Sequence, residues 1–176
     1  KQSDMEKIAV FAGSFDPFTV GHESLVKRAL PIFDSVIIAV GSNQEKKQYF
    51  SVEKRMAMIR DVFDNEPKIT VDKYSGLTID YCKKVNAKYL LRGIRTASDF
   101  EFERAIAQLN KIMHPRIASI FLLALPEHTP INSTIVRDII RFKGDVSKFL
   151  PKKIDLNKYL LITILISTFA PLFLFS

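Results

Sequence analysis

Gly13-Ser14-Phe15-Asp16-Pro17-Phe18-Thr19-Val20-Gly21-His22 is the stretch that decides the fold of this 176-residue chain. It follows a short apolar run, Ile8 to Ala12, and precedes an amphipathic segment, which indicates a turn between a β-strand and an α-helix. The unpaired backbone N–H groups at a helix start, together with the helix dipole, favour the binding of an anion such as phosphate. We therefore expect phosphate chemistry at this junction, with His22 at the start of the helix.

Short apolar runs and amphipathic segments alternate along the rest of the chain. The predicted strands are Ile8 to Ala12, Val36 to Val40, Ile69 to Tyr74, Tyr89 to Leu91 and Ser119 to Leu125. The predicted helices are Glu23 to Phe33, Val52 to Phe63, Thr78 to Val85, Ser98 to Met113 and Thr134 to Phe142, with Ser51 and either Asn132 or Ser133 as N-caps. This order predicts an α/β fold: a doubly wound, Rossmann-like parallel five-stranded sheet with helices on both faces.

Polar residues follow four of the predicted strands. They lie in Gly13 to His22, Gly41 to Lys47, Arg92 to Arg95 and His128 to Thr134. A doubly wound sheet binds its ligand beyond the carboxyl ends of the strands. We therefore expect these four loops to converge on one site.

Composition and charge narrow the class of protein. The length predicts one domain, and a net charge of +7 favours an anionic partner without separating a nucleotide from RNA or an acidic membrane. Cys82 is the only cysteine, which excludes an intrachain disulfide and favours a reducing, cytosolic setting. We interpret it as a buried apolar residue. The polar start of the chain, Lys1 to Asp4, does not resemble a signal peptide.

The C-terminal segment differs in composition from the rest of the chain. No charged residue occurs from Tyr159 to Ser176, which leaves open a membrane anchor, a segment packed on the protein or a neighbouring subunit, and an extension foreign to the functional domain. Pro171 and a length of about eighteen residues, at the lower edge of a bilayer span, weigh against the anchor. We predict a single domain over residues 5–160 and an apolar extension of unknown role over residues 161–176.

Missing motifs exclude several kinds of chemistry. The chain has neither the dinucleotide fingerprint Gly-x-Gly-x-x-Gly nor a P-loop, so dehydrogenase and ordinary NTPase functions lose support. It also lacks a Ser-His-Asp order and a metal-ligand cluster with convincing spacing, so neither a covalent nucleophile nor bound zinc is supported.

The remaining polar groups favour transfer between phosphates. Ser14 and His22 lie at a helix start, and the cations Lys46, Arg92 and Arg95 suit a substrate with several phosphate groups. In such a transfer the attacking group is already an anion and needs no general base. Catalysis then consists mostly of positioning and charge stabilisation, usually with help from Mg²⁺.

The stretch from Gly13 to His22 resembles the Gly-Thr/Ser-Phe-Asp-Pro-x-Thr-x-Gly-His signature of the nucleotidyltransferase superfamily, and specifically of the bacterial phosphopantetheine adenylyltransferase family. Further segments resemble that family in order and spacing: Lys46-Lys47, Leu91 to Arg95, Asp99 to Glu103, Asn132 to Thr134 and Gly144 to Pro151. The resemblance extends from Glu6 to about Leu160.

This resemblance implies transfer of the AMP moiety of ATP to 4′-phosphopantetheine by in-line attack, without a covalent enzyme intermediate, giving dephospho-coenzyme A and pyrophosphate. It implies that His22 stabilises the transition state and contacts ATP, and that Ser14 contacts both substrates. Phosphopantetheine would be bound by Ser14, Lys46, Thr78 and Arg92. ATP would be surrounded by Phe15, Gly93, Ile94, Arg95, Glu103, His128, Thr129, Pro130, Ile131, Asn132, Ser133 and Thr134.

The resemblance also implies partners and an assembly. Mg²⁺ would be bridged by the ATP phosphates with no direct protein ligand, and coenzyme A would act as a feedback inhibitor. The family implies a cytoplasmic homohexamer, and neither a nucleic acid nor a membrane is expected as a partner. Three residues depart from the family pattern or stand at a variable position: His128, Asn132 and Thr78.

Two alternatives remain at this point. Nicotinate-nucleotide adenylyltransferase shares the fold and the reaction type, but usually has histidine where Thr19 stands. A non-catalytic regulator that binds nucleotides or RNA would use the basic face alone. The regulator is disfavoured because a pure binder needs no group aimed at a reacting phosphorus, whereas this chain has Ser14, His22, Lys46 and Arg92.

Overall fold

The computed structural model describes residues 6–42 and 48–160. The strands are β1 (Ile8–Gly13), β2 (Ser35–Gly41), β3 (Ile69–Tyr74), β4 (Tyr89–Ile94) and β5 (Ala118–Leu123). The helices are α1 (Val20–Ala29), α2 (Val52–Val62), α3 (Thr78–Lys84), α4 (Ala97–Met113) and α5 (Ser133–Arg141), and a 3₁₀ turn spans Pro126–His128.

The five strands form one parallel sheet in the order β3-β2-β1-β4-β5, so the predicted doubly wound fold is confirmed. The chain moves outward in one direction from β1 to β3 and in the other from β4 to β5. The strand order therefore reverses between β1 and β4, and such a reversal is where a doubly wound sheet opens a crevice for its ligand.

Apolar residues cover both faces of the sheet. On one face, α1, α2 and α5 pack over side chains such as Phe11, Ile38 and Leu91. On the other face, α3 packs over a smaller cluster that includes Val10 and the fully buried Cys82. Burial raises the pKa of the Cys82 thiol to about 11, which agrees with its interpretation as an inert core residue.

The ends of β4 and α1 differ from the predicted ones, and both differences affect the site. The prediction that Arg92 follows β4 is wrong: the strand continues to Ile94, because its pairing with β5 persists after its pairing with β1 ends at Leu91. Arg92 therefore lies inside the strand, beside the gap that β1 leaves. Helix α1 begins at Val20 rather than Glu23, which places His22 in its first turn.

Side-chain caps fix the helix starts near this edge of the sheet. The hydroxyl of Ser51 accepts from the backbone N–H of Lys54, as predicted for α2. At α5 the cap is Asn132, whose side-chain oxygen accepts from Ile135 N at 2.9 Å, so Ser133 becomes the first helical residue. This assignment decides between the two caps that the sequence allowed.

Two predictions concern residues outside those described. The apolar extension over residues 161–176 and the loop residue Lys46 both lie there. Within the described ranges, 6–42 and 48–160, no helix combines the length and the apolar character needed to span a bilayer.

Candidate active site

A cleft of about 600 Å³ opens at the carboxyl ends of β1 and β4, where the strand order reverses. Eleven of the predicted site residues line it: Ser14, Phe15, His22, Arg92, Gly93, Arg95, Glu103, His128, Ile131, Asn132 and Ser133. Thr78 lines an adjoining cavity instead, and Ile94 is buried at the end of β4. Three members of the predicted loop are not among the residues that line either space: Thr129, Pro130 and Thr134.

The turn after β1 closes tightly over an aromatic ring. Phe15 has a left-handed backbone (φ 48°), and its ring lies against the turn so closely that a Cβ on Gly13 would be 2.9 Å from two ring carbons. Any side chain at Gly13 would therefore force the ring out of place. The same ring packs on Phe11 and Phe18 at centroid distances of 5.1 and 5.5 Å.

His22 packs against the rings of Phe11, Phe15 and Phe18 and lines the cleft. Its imidazole is 5.1 Å from the Phe15 ring and 5.3 Å from the Phe18 ring, centroid to centroid. Its Nδ1 accepts from the backbone N–H of Thr19 at 3.0 Å, and the Thr19 hydroxyl lies 3.0 Å from the same atom. Because a backbone N–H can only donate, Nδ1 carries no proton, and the ring proton resides on Nε2.

The charge state of His22 follows from its surroundings. Burial, together with the positive charge of Arg95, lowers the pKa of His22 to about 4. The side chain is therefore a neutral hydrogen-bond donor near pH 7. Its Nε2–H has no partner among residues 6–42 and 48–160 and is left for a ligand in the cleft.

Arg55 of α2 supports the other side of the turn, and it was not among the site residues predicted from the sequence. The side chain is completely buried and donates to the backbone carbonyl oxygens of Ser14, Gly41 (3.2 Å) and Phe50 (3.1 Å). Its Nη2 also donates to the side-chain oxygen of Gln48. Burial lowers the pKa of Arg55. Arg55 thus joins the Ser14 turn to the end of β2 and the segment before α2.

Asp16 links the same turn to the segment before α2. Its carboxylate accepts from the backbone N–H groups of Tyr49 and Phe50 at 2.8 and 2.9 Å. Arg137 of α5 donates to the backbone oxygen of Asp16 at 2.6 Å and lies 4.0 Å from its carboxylate. The turn is therefore tied to both α2 and α5 before any ligand binds.

The start of α5 forms the third side of the cleft. Asn132 and Ser133 line it, and the Ser133 hydroxyl donates to the Pro17 carbonyl at 2.8 Å. His128 lies beside Gly21, where a Cβ would be 3.6 Å from its own Cβ. Among the described residues, the buried Nδ1 of His128 finds no hydrogen-bond partner.

Arg92 and Glu103 form an ion pair on the opposite side of the cleft. Arg92 donates Nε to Glu103 at 2.9 Å, contacts the second carboxylate oxygen through Nη2, and donates Nη1 to Ala12 O at 2.7 Å. These bonds use three of the five N–H groups of a guanidinium. Two N–H groups of Arg92 are therefore left for a ligand. Arg95 pairs in a similar way with Asp99 at 3.0 Å.

A second cavity of about 170 Å³ adjoins the cleft and shares Arg92 and Glu103 with it. Its polar lining includes Thr78 and Asn110. Asn110 is 8% exposed, and its side-chain amide has no hydrogen-bond partner within the described part of the chain. The sequence did contain a signal for Asn110: it lies two helical turns after Glu103 on the same predicted helix face.

A scan of family models places residues 10–139 in the cytidylyltransferase-like family. Among curated proteins, the chain is similar to the phosphopantetheine adenylyltransferase of Flavobacterium psychrophilum, with 49% identity covering 83% of this chain and 96% of the relative. It is 44% identical to the protein of that name in Cytophaga hutchinsonii, covering 85% of this chain and 100% of the relative.

Solved structures with the same fold are more distant in sequence. A bifunctional NMN adenylyltransferase/ADP ribose pyrophosphatase from Francisella tularensis matches with a TM-score of 0.66 and 21% identity, over 94% of this chain and 51% of that chain. A putative nicotinate-nucleotide adenylyltransferase from Vibrio parahaemolyticus matches with a TM-score of 0.62 and 21% identity, over 83% of this chain and 94% of that one. At these identities the likeness concerns the fold alone.

Proposed function

The chain belongs to the cytidylyltransferase-like family and, within it, to the phosphopantetheine adenylyltransferases, and from that premise we propose how its cleft carries out the reaction. The enzyme transfers the AMP moiety of ATP to 4′-phosphopantetheine. An oxygen of the 4′-phosphate attacks the α-phosphorus of ATP, the bond from that phosphorus to the bridging β-oxygen breaks, and pyrophosphate leaves. The attacking oxygen is already an anion, so no base has to remove a proton.

His22 supplies the principal stabilisation of the transition state. The observation that carries this assignment is the bond from Thr19 N to His22 Nδ1, which leaves a neutral Nε2–H directed to the cleft. That N–H donates to an oxygen of the α-phosphate, where negative charge accumulates as the attacking and leaving oxygens share the phosphorus. A preorganised donor of this kind stabilises the transition state because it does not have to reorient during the reaction.

Ser14 and the turn around it bind both substrates. The turn leads into the first turn of α1, whose dipole favours phosphate. Arg55 and Asp16 hold this backbone in place from below. The Ser14 hydroxyl, which lines the cleft, lies where the two reacting phosphates meet in this arrangement.

Arg92 binds the 4′-phosphate of phosphopantetheine through its two remaining N–H groups. Lys46, outside the described residues, is assigned to the same phosphate from the family resemblance. The pantetheine arm then enters the adjoining cavity, where Thr78 and Asn110 provide polar contacts among apolar residues. The Asn110 amide lines this cavity, and an amide group of the arm would exchange hydrogen bonds with it.

ATP occupies the larger part of the cleft. Its phosphates face Ser14, His22 and Arg95, and its nucleoside lies towards Gly93 and the start of α5, beside Ile131. Glu103 acts indirectly in this arrangement, because its carboxylate holds Arg92. Ile94, Thr129, Pro130 and Thr134 would support this part of the site through their backbone.

Mg²⁺ fits this site as an ion that arrives with ATP. Among the described residues, no group of three or more His, Cys, Asp or Glu side chains could hold a metal, and the cleft carboxylates Glu103 and Asp99 are paired with arginines. Mg²⁺ commonly binds through substrate phosphates in this way. When bound, it would offset the charge of the triphosphate. Loss of activity in EDTA and recovery with Mg²⁺ would test its requirement.

A homohexamer is part of the proposal, and an apolar face on α4 supports self-association. Leu109, Ile112 and Met113 are 62%, 77% and 47% exposed and lie on neighbouring helical positions. An exposed apolar patch of this kind marks an interaction surface. Analytical ultracentrifugation of the wild type should give a hexamer, and Ile112→Lys should give a smaller species.

Coenzyme A should inhibit the enzyme because it shares chemical groups with the product. It carries the pantetheine arm that fits the adjoining cavity and the nucleotide that fits the cleft, so it would compete with phosphopantetheine. Kinetics with coenzyme A at several phosphopantetheine concentrations would show competitive inhibition. A cytoplasmic location, where ATP is supplied, completes the proposal and can be tested by cell fractionation.

A substrate panel is the experiment that tests the reaction. Purified protein, ATP and Mg²⁺ are incubated with 4′-phosphopantetheine or nicotinate mononucleotide, and the products are separated by liquid chromatography. We expect dephospho-coenzyme A and pyrophosphate from the first acceptor and at most trace turnover of the second. Equal turnover of nicotinate mononucleotide would contradict the assignment of the acceptor, while leaving nucleotidyl transfer intact.

A further inference from the structure

Tyr74 lies at the end of β3 and contacts a residue of the adjoining cavity. Its hydroxyl is 2.8 Å from the hydroxyl of Thr78, the first residue of α3. Thr78 in turn lines the cavity that contains Asn110 and opens beside Arg92. Tyr74 itself does not line the cavity, so any effect that it has on a ligand passes through Thr78.

The surroundings of Tyr74 hold its ring in one position. Its backbone oxygen accepts from both the N–H and the hydroxyl of Ser42 at 2.9 Å. Its ring packs on the Tyr81 ring at a centroid distance of 5.1 Å, and the Tyr81 hydroxyl is already committed to Asp72 at 2.6 Å. The ring also lies 3.8 Å from where a Cβ on Gly41 would be. Tyr74 is therefore a rigid support for the Thr78 hydroxyl.

The direction of the Tyr74–Thr78 hydrogen bond decides what Thr78 can offer a ligand. A phenol is far more acidic than an alkyl hydroxyl, so the tyrosine O–H is the better donor of the two. With Tyr74 donating, the Thr78 oxygen is the acceptor and its own O–H stays free. Among residues 6–42 and 48–160, Thr78 has no other side-chain hydrogen bond.

We propose that Tyr74 is a positioning residue for phosphopantetheine, which acts by fixing the Thr78 hydroxyl as a donor to an acceptor oxygen of the pantetheine arm. The arm carries amide carbonyl oxygens, which are suitable acceptors for a hydroxyl donor. This inference rests on the proposed placement of the arm in the adjoining cavity. ATP binds away from Thr78 in that arrangement, so Tyr74 affects one substrate and not the other.

The test is the Tyr74→Phe substitution, with Tyr81→Phe as the matched control. Both changes remove one hydroxyl from a pair of rings in contact with each other, but only the first removes the contact with Thr78. We expect Tyr74→Phe to raise the KM for phosphopantetheine about fivefold, as for the loss of one neutral hydrogen bond. The KM for ATP and kcat should change less than twofold, and Tyr81→Phe should leave all three at wild-type values.

A double-mutant cycle with Thr78→Val separates a coupled pair from two independent effects. If Tyr74 acts through Thr78, Tyr74→Phe should add nothing to the KM of Thr78→Val. Additive effects, or a KM for phosphopantetheine that is unchanged in Tyr74→Phe, would overturn the proposal. Thermal unfolding of each variant checks that the fold is retained.

Asn110→Leu distinguishes failure of this inference from failure of the arm's placement. If Asn110→Leu and Thr78→Val both raise the KM for phosphopantetheine while Tyr74→Phe does not, the arm lies in the cavity and only the role of Tyr74 is wrong. If none of the three variants changes this KM, the arm binds elsewhere, and both the placement and the role of Tyr74 are wrong.

Discussion

The two sides of the cleft hold their functional groups by different electrostatic means. On the turn wall, which comprises residues 13–22, the functional group is the neutral imidazole of His22, which is half-buried among aromatic rings and has a pKa lowered to about 4. On the arginine wall, which comprises residues 92–103, Arg92 and Arg95 are charged, and each is paired with a carboxylate. The turn wall thus presents a neutral N–H dipole to the ligand. The arginine wall presents two positive charges, each with a carboxylate as its counter-ion.

This difference suits the two tasks of the reaction. A charged group attracts both substrates before the reaction. The hydrogen bond of a neutral donor in a poorly solvated position strengthens most when negative charge develops on its acceptor in the transition state. The carboxylates of Glu103 and Asp99 reduce the repulsion between the two arginines when no ligand is bound. The turn wall needs no counter-ion, because its histidine is neutral.

The turn wall predicts the largest loss of activity on substitution. His22→Ala removes the principal donor that we assign to the α-phosphate, so kcat should fall by at least about a hundredfold. The KM values should change much less, because the loss is specific to the transition state. Steady-state kinetics measures both quantities.

His114→Ala is the matched control for His22→Ala. His114 is also half-buried and hydrogen-bonded, to Asp80 at 2.8 Å, but it lies outside the cleft and should leave kcat unchanged. Full activity in His22→Ala would contradict the division of roles between the walls.

The arginine wall predicts a smaller effect, seen mainly in binding. Arg92→Lys keeps the charge but loses the fork that contacts Glu103 and Ala12 together, so the KM for phosphopantetheine should rise about tenfold. Arg104→Lys, in the exposed pair with Glu101, is the control and should have no measurable effect. A fall in kcat at unchanged KM would show that the charged wall also acts in the transition state.

The support beneath the turn wall should affect stability and activity together. Arg55→Lys cannot reproduce the bonds to Ser14, Gly41 and Phe50, so buried carbonyl oxygens lose their donors. We expect a loss of about 2–3 kcal/mol in the free energy of unfolding and a fall of several-fold in kcat/KM. Arg60→Lys on the same helix, with its exposed side chain, should behave as wild type. Denaturant unfolding and kinetics would test both, and loss of stability with normal kcat/KM would mean that Arg55 does not position the turn.

The sequence predicted the parts of this site that follow from chain order. The alternation of strands and helices was sufficient for the sheet, and Ser14, His22 and the start of α5 follow from the rule that ligands bind at strand ends. The end of β4 was not predictable in this way, because it depends on β5 continuing beside it after β1 has left. Arg55 was not recognised either, since a single arginine in an amphipathic helix is ordinarily exposed.

The tautomer and pKa of His22 also required the structure. They depend on the 3.0 Å contact from Thr19 N and on burial by Phe15 and Phe18, which come together only when the turn is folded. The motif placed Thr19 three residues before His22, but it did not indicate which ring nitrogen is occupied.

The smallest predicted effect concerns the charge state of His22 itself. The pKa of His22 is about 4 in the folded protein, below its ordinary value of 6.5, so the folded state resists protonation. The stability that the folded protein gains by keeping His22 neutral is therefore fully present above about pH 6.5 and declines as the pH falls towards 4.

Thr19→Val removes the hydroxyl beside Nδ1 but keeps the backbone N–H. We expect this variant to raise the pKa of His22 modestly and to lower kcat no more than a few-fold. Thr70→Val, on the exposed side of β3, is the control. Nitrogen-detected NMR over pH 4 to 8 measures the pKa and the tautomer directly. If wild-type His22 titrates near pH 6.5, the contrast between a neutral wall and a charged wall is wrong. Both walls would then carry charge in acid, and the fold would not be what keeps His22 a neutral donor.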